Sequence, residues 1–242
     1  MRVVTFNAQH GWVGGEPAGV AQLSDAVAAL DADLVALQEV DVGDPRSGGV
    51  DQPAAVAAAI GGTSTFAAQR EGGTTGVALV ARGSITDVDV LRFVSRRGPK
   101  RDRPVSVPLV RPARRAIVLA RATVGPLSVS VTSAHLDLVR PVSHGQLERV
   151  VAALAARPGP RLLLGDLNRR SGWVGPTCAA VGLDLLADDT PTHPVSSPVR
   201  RIDHLATSGL VVSRVEVVQL AVSDHRALVV DLDTAQEPRS RR

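Results

Sequence analysis

Short runs of β-branched and aliphatic residues, most closed by a turn signal, leave this chain few ways to fold. They lie at Arg2–Phe6, Leu34–Gln38, Gly76–Val80, Ile117–Val124, Leu127–Ser133, Arg161–Leu164, Ile202–Ala206, Val211–Leu220 and Ala227–Leu232. The clearest alternation sets Leu127, Val129 and Val131 against Ser128, Ser130 and Thr132, directly after the turn signal Gly125-Pro126, as in the second arm of a hairpin. Two segments carry the helical period instead: Val20, Leu23, Val27 and Leu30 share one face, as do Leu147, Val150, Val151 and Leu154. Weaker helical signals cover Pro53–Ile60 and Gly175–Val181. Strands often follow one another with no helix between them, so a plain βαβ alternation fits poorly and two packed sheets flanked by helices fit better.

A chain of 242 residues can bury such a core as one domain, expected over 1–234, with 235–242 a basic and disordered tail. The pI of about 10.2 overstates the charge, which is only +3. Lys100 is the sole lysine and tyrosine is absent, so almost nothing titrates between neutrality and the arginine range. The basic residues cluster: Arg92, Arg96, Arg97, Lys100, Arg101 and Arg103 form one group, with Arg111, Arg114 and Arg115 close behind. Such runs are commonly solvated loops, and this one is the sequence feature suited to grip an extended polyanion. Cys178 stands alone, which excludes an intramolecular disulfide and a multi-thiolate zinc site. Met1 runs straight into an apolar strand, and no apolar run reaches membrane-spanning length. A cytoplasmic monomer with no membrane span is the expectation.

Polar residues able to bind metal or move protons recur where apolar strands end. Asn7, Glu39, His135 and Asp166 each follow such a run, and Asp224 with His225 follows Val217–Val222. Any one of these reads most simply as a turn former or helix cap; the ordered set does not. Thr5-Phe6-Asn7, Leu37-Gln38-Glu39-Val40, Ser133-Ala134-His135-Leu136, Gly165-Asp166-Leu167-Asn168, Arg201-Ile202-Asp203-His204 and Ser223-Asp224-His225 are similar, in order and rough spacing, to the signature segments of the endonuclease/exonuclease/phosphatase superfamily. The resemblance spans Phe6 to His225, and its Gly-Asp-x-Asn and Ser-Asp-His segments together are the most specific.

The resemblance implies an α/β (α+β) fold: a four-layer αββα sandwich, two mixed sheets face to face with helices outside. It further implies hydrolysis of a phosphoester. Asp166 would activate the attacking water and Asn168 would orient the water or the phosphate. His225 would contact the scissile phosphate, held in its tautomer by Asp203. Glu39, Asn7 and Asp224 would hold or border the metal, and the hard oxygens of Glu39 and Asn7 suit Mg²⁺ or Mn²⁺. His135 matches a position that is histidine in deoxyribonuclease I-like and sphingomyelinase-like members and tyrosine in abasic-site endonucleases, so a second imidazole would meet the phosphate or assist the leaving group. Arg115 is a candidate phosphate ligand, with a solvated arginine the equal alternative. Glu71 is a candidate carboxylate partner for His135. Trp12 and Trp173, near Asn7 and Asn168, are candidates to line a cleft, with core packing as plausible. His10, His144, His193 and His204 read as surface or capping residues.

Departures from the family pattern narrow the substrate. His204 stands where abasic-site enzymes carry tyrosine, and Pro198–Leu205 does not continue the inositol-phosphatase signature that Gly165–Arg170 begins. The paired imidazoles favour a phosphodiesterase acting on nucleic acid or a smaller diester. The alternatives are a phosphomonoesterase for a sugar, inositol or lipid headgroup phosphate, and a catalytically idle binding module.

Overall fold

In the computed structural model, residues 1–17, 19–95 and 113–234 are described. In chain order they form β1 (Arg2–Asn7), the small hairpin β2 (Trp12–Val13) and β3 (Glu16–Pro17), α1 (Val20–Ala28), β4 (Leu34–Asp41), α2 (Gln52–Ile60), β5 (Thr63–Ala68), β6 (Thr75–Ala81) and β7 (Ser84–Ser95). There follow β8 (Ala113–Val124), β9 (Leu127–His135), α3 (Arg140–Ala155), β10 (Arg161–Asp166), α4 (Ser171–Ala179), β11 (Asp184–Leu185), β12 (Asp203–Ser208), β13 (Leu210–Val218) and β14 (Ala227–Thr234). The tail at 235–242, and the basic residues from Arg96 to Arg111, lie outside the described residues.

Two six-stranded sheets carry the architecture, ordered β13-β14-β1-β4-β6-β5 and β11-β12-β10-β9-β8-β7. Val3, Leu34, Ala36 and Leu79 of the first sheet pack on Val118, Val131, Leu162 and Leu164 of the second, all essentially inaccessible to solvent. The outer face of the first sheet, with Val4, Phe6, Val35 and Leu37, is covered by Leu23 and Val27 of α1 and Val56 and Ile60 of α2. That of the second, with Ile117, Leu119 and Leu163, is covered by Leu147, Val150 and Leu154 of α3 and Val174 and Cys178 of α4. Each sheet thus buries both faces, which is why its central strands read as continuous aliphatic runs. The four layers are the expected αββα order.

The helices end where local chemistry dictates. Asp51 accepts a hydrogen bond from the Ala54 amide at the start of α2, and Gly61, at φ 70°, closes it. Helix α4 begins at Ser171, earlier than its sequence signal, and takes Pro176 into its interior. Arg114 and Arg115 lie on β8 and Arg92 on β7, so these three belong to strands and not to a solvated loop.

Register aligns the polar strand ends. β1 runs parallel to β4 with Asn7 opposite Gln38, and β10 runs parallel to β9 with Asp166 opposite His135. β12 pairs antiparallel to β10, which sets Asp203 opposite Asp166. Gly165 makes the second alignment attainable, since at φ 151° a Cβ there would sit 2.0 Å from the Ala134 carbonyl oxygen. Gly165→Ala is therefore expected to cost about 3 kcal/mol, the upper range for overpacking. A lowered denaturant midpoint would report it, and a wild-type midpoint would show that β9 and β10 can part without consequence.

The two sheets are tied together just below these ends. Gln38 Nε2 donates to Ser133 Oγ at 3.1 Å, and that hydroxyl donates to the Leu37 carbonyl at 2.9 Å. Buried and satisfied, this bridge fixes β4 against β9 one residue before Glu39 and two before His135.

Candidate active site

Glu39 owes its position to a β-bulge. The register of β4 against β6 shifts between Gln38 and Val40, and Glu39 adopts φ 51°, a conformation uncommon for a side-chain-bearing residue. Its carboxylate faces Asn7, whose Nδ2 donates to Glu39 Oε1 at 3.3 Å and to Asp166 Oδ2 at 3.1 Å. The Asn7 oxygen accepts from the Gln9 amide at 3.1 Å, so in this arrangement Asn7 orients the carboxylates. For Asn7 to hold a cation, its amide oxygen would have to take the place of Nδ2.

Asp166 is the hub. Its Oδ1 accepts from the Asn168 backbone amide at 2.9 Å, and Asn168, at φ 54°, donates its side-chain Nδ2 to the Leu136 carbonyl at 3.0 Å. Two imidazoles face the other oxygen: His135 Nε2 lies 3.5 Å and His225 Nε2 3.9 Å from Asp166 Oδ2. His225 donates through Nδ1 to Asp203 Oδ2 at 2.9 Å, and the same oxygen accepts from Thr192 Oγ1 at 2.5 Å. Ser223, at φ 78°, receives the His225 amide on its hydroxyl and donates that hydroxyl to the Asn7 carbonyl at 2.6 Å, which joins the His225 loop to β1.

Electrostatics follow from burial and the charges beside it. Burial, reinforced by Asp203, pushes the Asp166 carboxyl up to about 7. Burial works against charge on His225, yet the Asp203 carboxylate overcomes it and raises the imidazole to about 10. Asp203 is correspondingly held low, since the His225 charge outweighs its own burial. Burial, with Arg115 nearby, drives His135 well below the usual histidine range, so His135 is neutral. Its Nε2 faces the two acceptors Asp166 and Glu39, at 3.5 and 3.8 Å, which places the proton on that nitrogen.

Asn7, Glu39, His135, Asp166, Asn168, Asp203 and His225 thus converge at one end of the sandwich. Asp224 sits at the rim, its carboxylate 3.6 Å from His193 Nε2 and 4.0 Å from His225 Nε2. Arg115 borders a cleft of about 430 Å³ beside Glu39. Glu71 does not support His135: it is exposed, and the buried His135 Nδ1 has no hydrogen-bond partner among the described residues. His204 is a structural residue, with Nε2 2.7 Å from the Arg169 carbonyl oxygen, and His144 is a surface residue paired with Glu148.

Two histidines read as peripheral from the sequence belong to the site. His10 Nε2 lies 3.4 Å from Glu39 Oε2, while its Nδ1 lies 3.2 Å from the buried Asp41, which Arg46 also clamps. His193 packs its ring 4.6 Å from that of His225. The one available signal for His10 was its place three residues after Asn7. Trp173 lines a second cleft together with Asn168, whereas Trp12 lies on the β2 strand with its ring centre 5.9 Å from that of His10.

The donor set fits a divalent cation. Two carboxylates, Glu39 and Asp166, meet on one amide; burial first and Asp203 next disfavour the charged form of Asp166, which a cation beside it would favour. Ligand atoms of Asp166, Asp203 and His225, and likewise of His193, Asp224 and His225, lie within 4.8 Å of one another.

The sequence matches the Endonuclease/Exonuclease/phosphatase family over residues 4–225. The chain belongs to this family. The fold agrees: an endonuclease/exonuclease/phosphatase from Beutenbergia cavernae superposes with a TM-score of 0.67 at 21% identity, over 99% of this chain and 73% of that one. A mannosyl-6-phosphatase of Bacteroides thetaiotaomicron gives 0.65 at 16% identity, over 96% and 99%. The endonuclease domain of TRAS1, a telomere-specific retrotransposon, gives 0.62 at 18% identity, over 98% and 99%. No functionally curated protein matches the sequence. Endonuclease/exonuclease/phosphatase proteins are metal-dependent hydrolases of phosphoester bonds. No helix among the described residues is long and apolar enough to cross a membrane.

Proposed function

We propose that this protein is a divalent-metal-dependent phosphodiesterase whose water is activated by Asp166. The observation that carries the reading is the pair of imidazoles of opposite character on one carboxylate, the neutral His135 and the protonated His225, both with Nε2 within 3.9 Å of Asp166 Oδ2.

The residues divide the work. Asp166, held by the Asn168 amide, takes a proton from the attacking water. His135 donates Nε2–H to a phosphoryl oxygen. As the bond from phosphorus to the leaving oxygen breaks, the departing alkoxide takes the Nε2 proton of His225, whose Nδ1–H stays anchored on Asp203. Glu39 and Asn7, with Asp224 at the rim, would hold the cation; when bound, it neutralises charge building on the phosphoryl oxygens. Arg115, which lines the adjoining cleft, meets a phosphoryl oxygen.

A diester brings one negative charge to the site, whereas a monoester adds a further negative charge beside Glu39 and Asp166. With Mg²⁺ or Mn²⁺, kcat/KM on bis-para-nitrophenyl phosphate should exceed that on para-nitrophenyl phosphate by about tenfold or more, roughly one such electrostatic interaction. Preference for the monoester would overturn the diesterase reading and favour a sugar- or headgroup-phosphate phosphatase.

A further inference from the structure

A second cleft, of about 530 Å³, opens beside Asn168 on a wall that the proposed chemistry does not use. Arg140, Arg169, Arg170 and Arg200 line it together with Trp173, and no carboxylate does. The first cleft, by contrast, includes Glu39, and its Arg46 is committed to the buried Asp41.

The arginines are placed and not merely numerous. Arg169 donates to the carbonyls of Asn168 and Leu138, at 2.6 and 2.9 Å, and lies over the Trp173 ring at 5.4 Å. Burial first and the nearby Arg140 charge next lower its affinity for its proton, against the Asp137 carboxylate, which raises it. The arginine fork of Arg200 is held by His193, 3.0 Å away, beside His225. The side chains of Arg140 and Arg170 are both exposed.

Two helices begin at the same place. α3 starts at Arg140 and α4 directly after Arg170; neither has a side-chain cap nor an acidic residue in its first turn. Uncapped amides and the positive end of the helix dipole would add to four guanidinium groups around one cavity. Trp173 supplies an apolar wall.

We propose that this cleft is a second phosphate-binding subsite, so that the substrate carries at least one further phosphate on the Asn168 side of the phosphate that is cut. The proposal rests on the phosphodiesterase reading only for which bond breaks; the subsite can bind without turnover. A nucleic-acid strand and a small polyphosphorylated molecule share the required chemistry.

The test is the double variant Arg140→Ala/Arg170→Ala, which leaves Asp166 and its partners untouched. On bis-para-nitrophenyl phosphate, which has no second phosphate, its kcat/KM should equal that of wild type. On a short single-stranded oligonucleotide or on an inositol bisphosphate it should fall by roughly tenfold or more, mostly through KM. If the strand is the source, the log–log salt slope of oligonucleotide binding should also flatten by about 0.7 for each phosphate no longer neutralised. If the small molecule is the source, only the bisphosphate should respond. Equal losses on all substrates, or none on any, would overturn the subsite. Metal-free calorimetry with inorganic triphosphate and the oligonucleotide keeps the two readings apart. Weaker binding by the double variant supports the subsite even where no phosphoester is hydrolysed, and unaltered binding of both probes refutes it even if the diesterase reading stands.

Discussion

Asp166→Asn should lower turnover on the order of 100-fold or more, the loss appropriate to a positioned general base, while the protein still folds. The substitution keeps an acceptor for the Asn168 amide but removes the charge that takes the proton from water. Stability supplies an independent readout. Asp166 is pushed up to about 7, by burial first and by Asp203 next, whereas the same carboxyl in an unfolded chain ionises near ~3.9. Between those values the folded protein keeps a proton that the unfolded chain has released, so stability falls as pH rises toward neutrality. In metal-free buffer the Asn variant should therefore lose less melting temperature than wild type between about pH 4 and about pH 7. Near-normal turnover by a folded variant would remove Asp166 from its role, and an identical pH profile would show that its carboxyl is not the group that holds the proton.

The fold was legible where side-chain period and burial agree. Strands such as Leu34–Asp41 and Arg161–Asp166 bury both faces, so their aliphatic runs are continuous and bounded by polar residues. β5 and β7 were not legible, and both are edge strands. In β7 a register shift between Thr86 and Asp89, with Asp87 at φ 50°, breaks the alternation that would have announced it. In β5, Thr63-Ser64-Thr65 presents polar residues on both faces at the solvent edge.

The site was legible for a related reason. Parallel pairing of β1 with β4 and of β9 with β10 brings strand C-termini to one end, so a polar residue closing each run must meet the others there. His10, Asp41, Thr192 and His193 escaped because their placement depends on irregular backbone. His10 sits at φ 61° after β1, Asp41 follows the Glu39 bulge, and Thr192 and His193 lie in the long connection between β11 and β12. No periodicity encodes such paths. Glu71 differs in the opposite direction: a candidate carboxylate for His135, it lies in a turn and is exposed to solvent.

Exhaustive chelation should abolish hydrolysis, and Mg²⁺ or Mn²⁺ should restore it. The Glu39 and Asp166 carboxylates share the Asn7 amide and the His135 edge, and burial, with Asp203 next, keeps a proton on Asp166 up to about 7. A cation beside it favours the charged form, so binding must displace that proton. The sign is then fixed: metal affinity rises with pH up to about 7, by at most about tenfold per pH unit for one proton, and levels off above it. Calorimetry near pH ~6 in two buffers of different ionisation enthalpy should count close to one proton released per cation bound. Asp166→Asn should abolish that release, while Glu39→Gln should weaken binding and leave the proton count intact. Full activity after complete metal removal would sink the mechanism. Cation binding with no proton released at any pH between about 5 and 8 would show instead that the ion sits away from Asp166, at the His193 and Asp224 rim, and the roles assigned to Glu39 and Asn7 would fall with it.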